Sequence, residues 1–323
     1  MNRRATIIGL AIGLPVSAFF LWLAVRRADL DLVWATLRNA NVGPIVLAVA
    51  AMGGVYLIQA ERWRRIARVP LGLGRFFEFV LCGIGCNNVL PGRLGDLLRA
   101  RWLGLAARIP GGRALATVVL DRGSDLVGLV VMLLVTLPFV TPVAWLGRIV
   151  VGSMIGIAVL LLGLFLARRY SRTRDRDRHA ERGVLRRVAR DVVDGLAEPL
   201  GRRRLAVVLV LSLAAWGMWA VGALFVGRAI GIDLTPLEAL FVAAVINLGV
   251  AIPSSPGFVG TYQWLAIAAL GLFEVPREGA LAFAILLQAV WYVPTTVAAG
   301  VLLGGRAMQR AAWARRRASV PLR

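Results

Sequence analysis

Of 323 residues, 59% are hydrophobic, the formal net charge is +21, and all 38 cationic side chains of the Lys/Arg class are arginine. That apolar share exceeds the roughly 45–50% of a soluble domain and excludes one. The charge falls between apolar runs, which points to the membrane and anionic lipid as partners and away from nucleic acid.

In chain order, Arg3 and Arg4 precede an apolar run over 6–25 that is long enough to span and is expected to stay uncleaved. Residues 29–41 form an amphipathic piece, with Leu30, Val33, Trp34 and Leu37 on one side, expected in the membrane interface. A second span over 44–59 leads to Glu61-Arg62-Trp63-Arg64-Arg65, an expected cytoplasmic edge with Trp63 as interfacial anchor. The segment 76–96 is apolar but too short to cross, and breaks at Pro91-Gly92; a helix over 97–107 follows. Further spans are expected over 114–140, 145–167, 205–230 and 280–303. A second broken segment covers 237–272, and 168–204 is a basic loop whose later part, 184–200, reads as an amphipathic surface helix.

The Arg-rich segments 1–4, 61–75, 168–204 and 306–323 should face the cytoplasm, and 141–147, 231–236 and 273–278 should face out. Each broken segment must then enter and leave on one side. The expected fold class is an all-α polytopic membrane protein with six full spans and two re-entrant helical hairpins. Eight plain spans is the alternative. The halves are an inverted internal repeat, 1–140 against 141–167 plus 205–304, with 168–204 a cytoplasmic loop and 305–323 a basic tail. Two Gly/Pro-broken segments at matching positions point to a transporter's central site. Both termini would lie in the cytoplasm and the protein in the bacterial inner membrane.

The first candidate constellation is Asn87, Asn88, Pro91, Gly92, Arg93, Gly95, Asp96 and Arg99. A Pro-Gly break frees backbone N–H groups at a helix start, which suits an anion, and Arg93 would add a bidentate phosphate grip. Asp96 lies three residues from both Arg93 and Arg99, so these can also simply pair. The second constellation is Asp121, Arg122 and Asp125, costly inside a membrane unless paired with Arg93 or Arg99 or facing a cavity. The third is Asn247, Ser254, Ser255, Pro256, Gly257, Gly260, Thr261, Tyr262 and Gln263, with Gln288 and Tyr292 able to face it. Pro256-Gly257-x-x-Gly260 repeats Pro91-Gly92-x-x-Gly95.

No nucleotide loop, HExxH or nucleophile elbow with a triad occurs, so no catalytic residue, metal or cofactor is expected and the chain is not read as an enzyme. Cys82 and Cys86 lie four apart, and the single histidine, His179, lies in the polar loop; this is no zinc set.

At Arg62-Trp63-Arg64, at Asn87-Asn88-Val89-Leu90-Pro91-Gly92-Arg93-Leu94-Gly95-Asp96-Leu97-Leu98-Arg99, at Asp121-Arg122-x-x-Asp125 and at 253–263, the chain resembles the lysylphosphatidylglycerol synthase transmembrane-region family of flippase-like membrane proteins. The resemblance implies a polytopic bacterial inner-membrane protein associated with translocating lipids or lipid-linked intermediates. Many family members carry Glu where this chain has Gln263. Synthases of the family add a C-terminal aminoacyltransferase domain, which is not expected in the residues after 304. The expected function is movement of an anionic phospholipid or polyprenyl-phosphate-linked lipid between leaflets. Alternatives are a scaffold recruiting a cytoplasmic or cell-envelope enzyme through 168–204, and an enzyme acting on a lipid headgroup.

Overall fold

The computed structural model describes residues 15, 17–90, 93–141, 143–173, 184–198, 200–250 and 258–318, and it is all-α among them. Pro91, Gly92, His179, Ser254, Ser255, Pro256 and Gly257 lie outside the described residues. The helices are α1 (17–25), α2 (Leu30–Arg38), α3 (Val42–Ala67), α4 (Leu73–Val89), α5 (Leu94–Ala107), α6 (Gly111–Thr136), α7 (Ala144–Thr173), α8 (Val184–Ala197), α9 (Arg202–Ala229), α10 (Pro236–Gly249), α11 (Thr261–Leu270) and α12 (Arg277–Ala318).

Local chemistry sets several starts. Asp29 Oδ1 accepts from Asp31 N at 3.0 Å and Leu32 N at 3.2 Å, capping α2. Thr235 and Glu238 exchange bonds as a capping box, with Pro236 at the first helical position of α10. Helices α3, α7, α9 and α12 have stretches long and apolar enough to cross a bilayer, so the protein is a multi-pass membrane protein. Helix α6 has 26 residues and the same reach, but carries Asp121, Arg122 and Asp125 at its middle. The 17 residues of α4, 14 of α5, 14 of α10 and 10 of α11 are each fewer than the ~20 a crossing needs.

Packing follows a pattern that repeats between the halves. Helix α3 lies against α9. Helix α4 packs on α5, on α3 and on α12, as α10 packs on α11, on α9 and on α6. Helix α2 lies on α12, as α8 lies on α6. The α4–α5 contact is backbone on backbone: a Cβ built on Gly95 would stand 1.9 Å from the Gly83 carbonyl oxygen and 2.6 Å from Asn87 Oδ1. Only glycine fits, so Gly95→Ala is expected to cost at least about 1–3 kcal/mol of overpacking, read as a lower melting temperature of the purified protein.

Several expectations need correction. Trp63 is no interfacial anchor: it is fully buried, donates from Nε1 to Thr117 Oγ1 at 3.0 Å, and stacks edge-on against Phe76 at 5.1 Å. Arg62 is likewise buried, while Arg64 and Arg65 turn outward and pair with Glu61 at 2.7 Å. The 168–204 segment is not one loop, because α7 runs on to Thr173 and α8 is seated on α6. A Cβ on Gly112 would lie 2.5 Å from the Val188 carbonyl oxygen, and Arg113 pairs with Glu198 at 2.7 Å. The amphipathic call for α2 holds in part: Val33 and Leu37 pack inward, but Leu30 and Trp34 are exposed. The basic tail continues α12 as helix to Ala318.

Candidate functional site

Three arginines and three aspartates meet where α3, α5 and α6 converge. Arg62 of α3 donates from Nε to Asp121 Oδ1 at 2.9 Å and from Nη1 to Asp125 Oδ1 at 2.6 Å; the same Nη1 reaches Ser212 Oγ of α9 at 3.0 Å. Arg99 of α5 donates to Asp121 Oδ2 at 2.6 Å and lies 4.5 Å over the Trp63 ring. Arg122 clasps Asp96 of α5 through Nη2 at 2.6 Å and Nε at 3.1 Å, and contacts Asp125 at 3.3 Å. Arg99 adds a 3.6 Å contact to Asp96. Each carboxylate is held by two guanidiniums, so the cluster is neutral as a whole. Arg62, Arg99 and Asp121 are at most 1% exposed, which only such pairing makes tolerable in an apolar interior.

Arg93 stands outside this cluster. It makes no ion pair among the described residues; its Nη2 donates to the Val250 carbonyl at 3.3 Å and its guanidinium lies 5.8 Å from the Phe258 ring. The pairings of Arg93 with Asp96 and with Asp121 considered from spacing are therefore not made. Val250 ends the first arm of the second broken segment and Phe258 begins the second, so the two broken tips touch. Arg93 and Phe258 follow the two Pro-Gly pairs at equivalent positions, and both have left-handed backbones, with φ of 54° and 58°. Non-glycine residues there cost about 1–2 kcal/mol each, and such strain gathers at functional sites.

The remaining candidates divide. Asn87 Oδ1 accepts from Gly95 N at 2.7 Å, so one of the N–H groups at the start of α5 is occupied by the protein rather than open to an anion. Asn88 ties the tip to α12, donating to Thr296 Oγ1 at 2.9 Å and Thr295 Oγ1 at 3.3 Å, while its carbonyl accepts from the Tyr292 hydroxyl. Gln263 accepts from Gly260 N at 2.6 Å and donates to Gln288, closing the start of α11. Tyr262 is buried. Gln288 thus faces the third constellation, whereas Tyr292 serves the first.

Above the tips lies a cavity of about 1060 Å³. Arg93, Asn87, Asn88, Asp96, Arg122, Asp125 and Asn247 line it; Gly95, Arg99, Asp121, Gly260, Tyr262 and Gln263 do not. Its other walls are apolar and aromatic, with Phe19 and Phe20 of α1, Trp145 of α7, Trp216 and Trp219 of α9, Trp264 of α11 and Trp291 of α12. Arg93 keeps accessible surface, and that surface faces the cavity. Sequence reasoning missed Arg62 as the hub of the cluster and Arg148 as a cavity residue. Arg62 was hidden in a run of charges at a helix end; Arg148 sits one residue past a segment set aside as poor in basic residues.

Among known proteins, the chain is 28% identical to the glycosyltransferase AglD of Haloferax volcanii over 92% of its own length and 54% of that protein's. It thus spans about half of that relative. It is 25% identical to a UPF0104 membrane protein of Methanothermobacter thermautotrophicus, covering 72% of this chain and 76% of the other. A UPF0104 membrane protein of Methanocaldococcus jannaschii is 30% identical over 35% of each chain. The model of the lysylphosphatidylglycerol synthase TM region matches residues 6–299, and with that coverage, motif by motif through both broken segments, the chain belongs to this family.

Proposed function

We propose that this protein moves a lipid with a phosphate-bearing headgroup between the leaflets of the bacterial inner membrane. The observation that carries the reading is Arg93: a guanidinium without a carboxylate partner among the described residues, facing a cavity whose walls are mostly aromatic and aliphatic. An unpaired guanidinium offers a fork to a phosphate, and tryptophan and phenylalanine walls suit acyl or prenyl chains. The sub-spanning lengths of α4, α5, α10 and α11, and the matching packing partners of the halves, support two re-entrant hairpins in an inverted repeat. In that arrangement both termini are cytoplasmic. The cavity then opens to the outer half of the membrane, and the buried Arg–Asp cluster closes the cytoplasmic half. Helix α8, locked to α6 through Gly112 and Arg113, serves as part of the bundle rather than as a free docking loop.

The direct test is reconstitution in liposomes with fluorescent lipids of phosphate-bearing and neutral headgroups. Accelerated exchange of a phosphate-bearing lipid is expected; no acceleration of any such lipid would sink the proposal. Topology is tested separately. With Cys82 and Cys86 replaced, single cysteines at Arg101 and Arg108 are expected to label only from the cytoplasm, and at Gly271 and Glu274 only from outside. Outside labelling of the first pair would restore eight plain spans.

A further inference from the structure

We infer that Arg148 is a second headgroup ligand, and that the pair Arg93–Arg148 selects a phosphomonoester, with two negative charges, over a phosphodiester, with one. The inference rests on the proposed lipid-binding reading of the cavity. Its basis is the charge count of the cavity wall. Asp96, Asp125 and Arg122 line the cavity, but their charges are consumed inside the neutral cluster with Arg62, Arg99 and Asp121. What the wall presents is Arg93 and Arg148. Arg148 belongs to the first turns of α7, is exposed, and makes no ion pair among the described residues. Its placement also runs against the charge rule. In the proposed topology it is a cation at the outer end of a span, where arginine is disfavoured unless something requires it.

Two unpaired cations on one wall balance a dianion. A phosphodiester leaves one of them uncompensated beside an apolar surface, which costs binding energy. A terminal phosphate carries a charge between −1.5 and −2 near neutral pH, and its second proton returns below about pH 6. Arg93 lies at the meeting of the tips and Arg148 toward the mouth, so a headgroup entering from the bilayer meets Arg148 first.

The test uses the purified full chain in nanodiscs and quenching of cavity tryptophan fluorescence by brominated-chain lipids. The probes are phosphatidate, a phosphomonoester, and phosphatidylglycerol, a phosphodiester with the same chains. At pH 8 the protein is expected to prefer phosphatidate by roughly tenfold, and the preference is expected to vanish by about pH 5. Arg148→Gln should weaken phosphatidate more than phosphatidylglycerol, bringing the ratio near one; Arg148→Lys, which keeps the charge, should retain it. Arg93→Gln should weaken both lipids. Glycerol 3-phosphate, a soluble phosphomonoester without chains, should not displace phosphatidate at equal concentration. Equal binding of the two lipids by the wild type, or equal losses for both in Arg148→Gln, overturns the inference while leaving lipid binding intact. Displacement by glycerol 3-phosphate overturns the lipid source and assigns the site to a soluble phosphate. Failure of either lipid to quench the wild type is instead a failure of the underlying reading.

Discussion

Arg93→Lys is expected to insert and fold normally and to lose most lipid movement in liposomes, with Arg93→Ala lower still. The reason lies in what Arg93 does not do. Its fold contacts are one 3.3 Å bond to the Val250 carbonyl and a ring contact to Phe258. Losing these costs the fold about 1 kcal/mol or less. Against a phosphate, a lysine keeps the charge but loses the two-pronged geometry, and a surrounding apolar wall offers no water to replace the missing bond. A further variant separates function from strain. Arg93 holds φ at 54°, so Arg93→Gly removes the cost of a left-handed non-glycine residue and is expected to be at least as stable as wild type while inactive. Thermal melting and lipid exchange on the same preparations decide it. If Arg93→Lys keeps full exchange, or if Arg93→Gly melts far below wild type, Arg93 is a structural cation and the site lies elsewhere.

Much of this arrangement was legible because membranes permit few solutions. Apolar runs of spanning length, and arginines confined to the segments between them, gave the spans to within a few residues; the helices extend further only where their ends leave the apolar stretch, as α3 does from Gln59 to Ala67. The two broken segments were legible from Pro-Gly pairs in apolar surroundings, since backbone breaks are tolerated there only when protein covers them. That the tips touch, through Arg93, Val250 and Phe258, was not legible: spacing along a chain says nothing about contact across 157 positions. The charge cluster was half legible. Asp121, Arg122 and Asp125 stand out within a span, but their main partner, Arg62, looks like one more arginine at a membrane edge. A helix crossing near its end can bury one side chain and expose the next two, and only the packed structure distinguishes Arg62 from Arg64 and Arg65. Likewise Asn87 and Asn88 read as ligand residues because they flank the break, whereas one satisfies the Gly95 N–H and the other anchors α12. Hydrogen-bonding side chains at a broken helix serve the backbone before they serve a ligand.

Asp121→Asn is expected to cost the protein most of its folded yield, unlike any Arg93 variant. Asp121 accepts from Arg62 at 2.9 Å and from Arg99 at 2.6 Å, and all three are at most 1% exposed. Asparagine keeps the shape but removes the charge, leaving three guanidiniums against two carboxylates in an interior that cannot solvate the excess. Breaking one side of a buried pair in this way costs roughly 3–5 kcal/mol. That is a large fraction of the 5–15 kcal/mol by which folded proteins are typically stable. The proposed cause is the imbalance, and a second substitution tests it. Arg99→Gln in the Asp121→Asn background restores neutrality, with two guanidiniums and two carboxylates, and lets two amides face each other where an ion pair stood. The double variant is therefore expected to be more stable than Asp121→Asn alone, although each change by itself destabilises. Melting temperatures of the wild type, both single variants and the double form a closed cycle that isolates the coupling. A coupling near zero would mean that Asp121 stabilises the fold by some route other than neutralising Arg99. In that case Arg62, its other partner, becomes the residue to vary, since it alone among the three arginines joins both Asp121 and Asp125 and reaches across to Ser212 of α9.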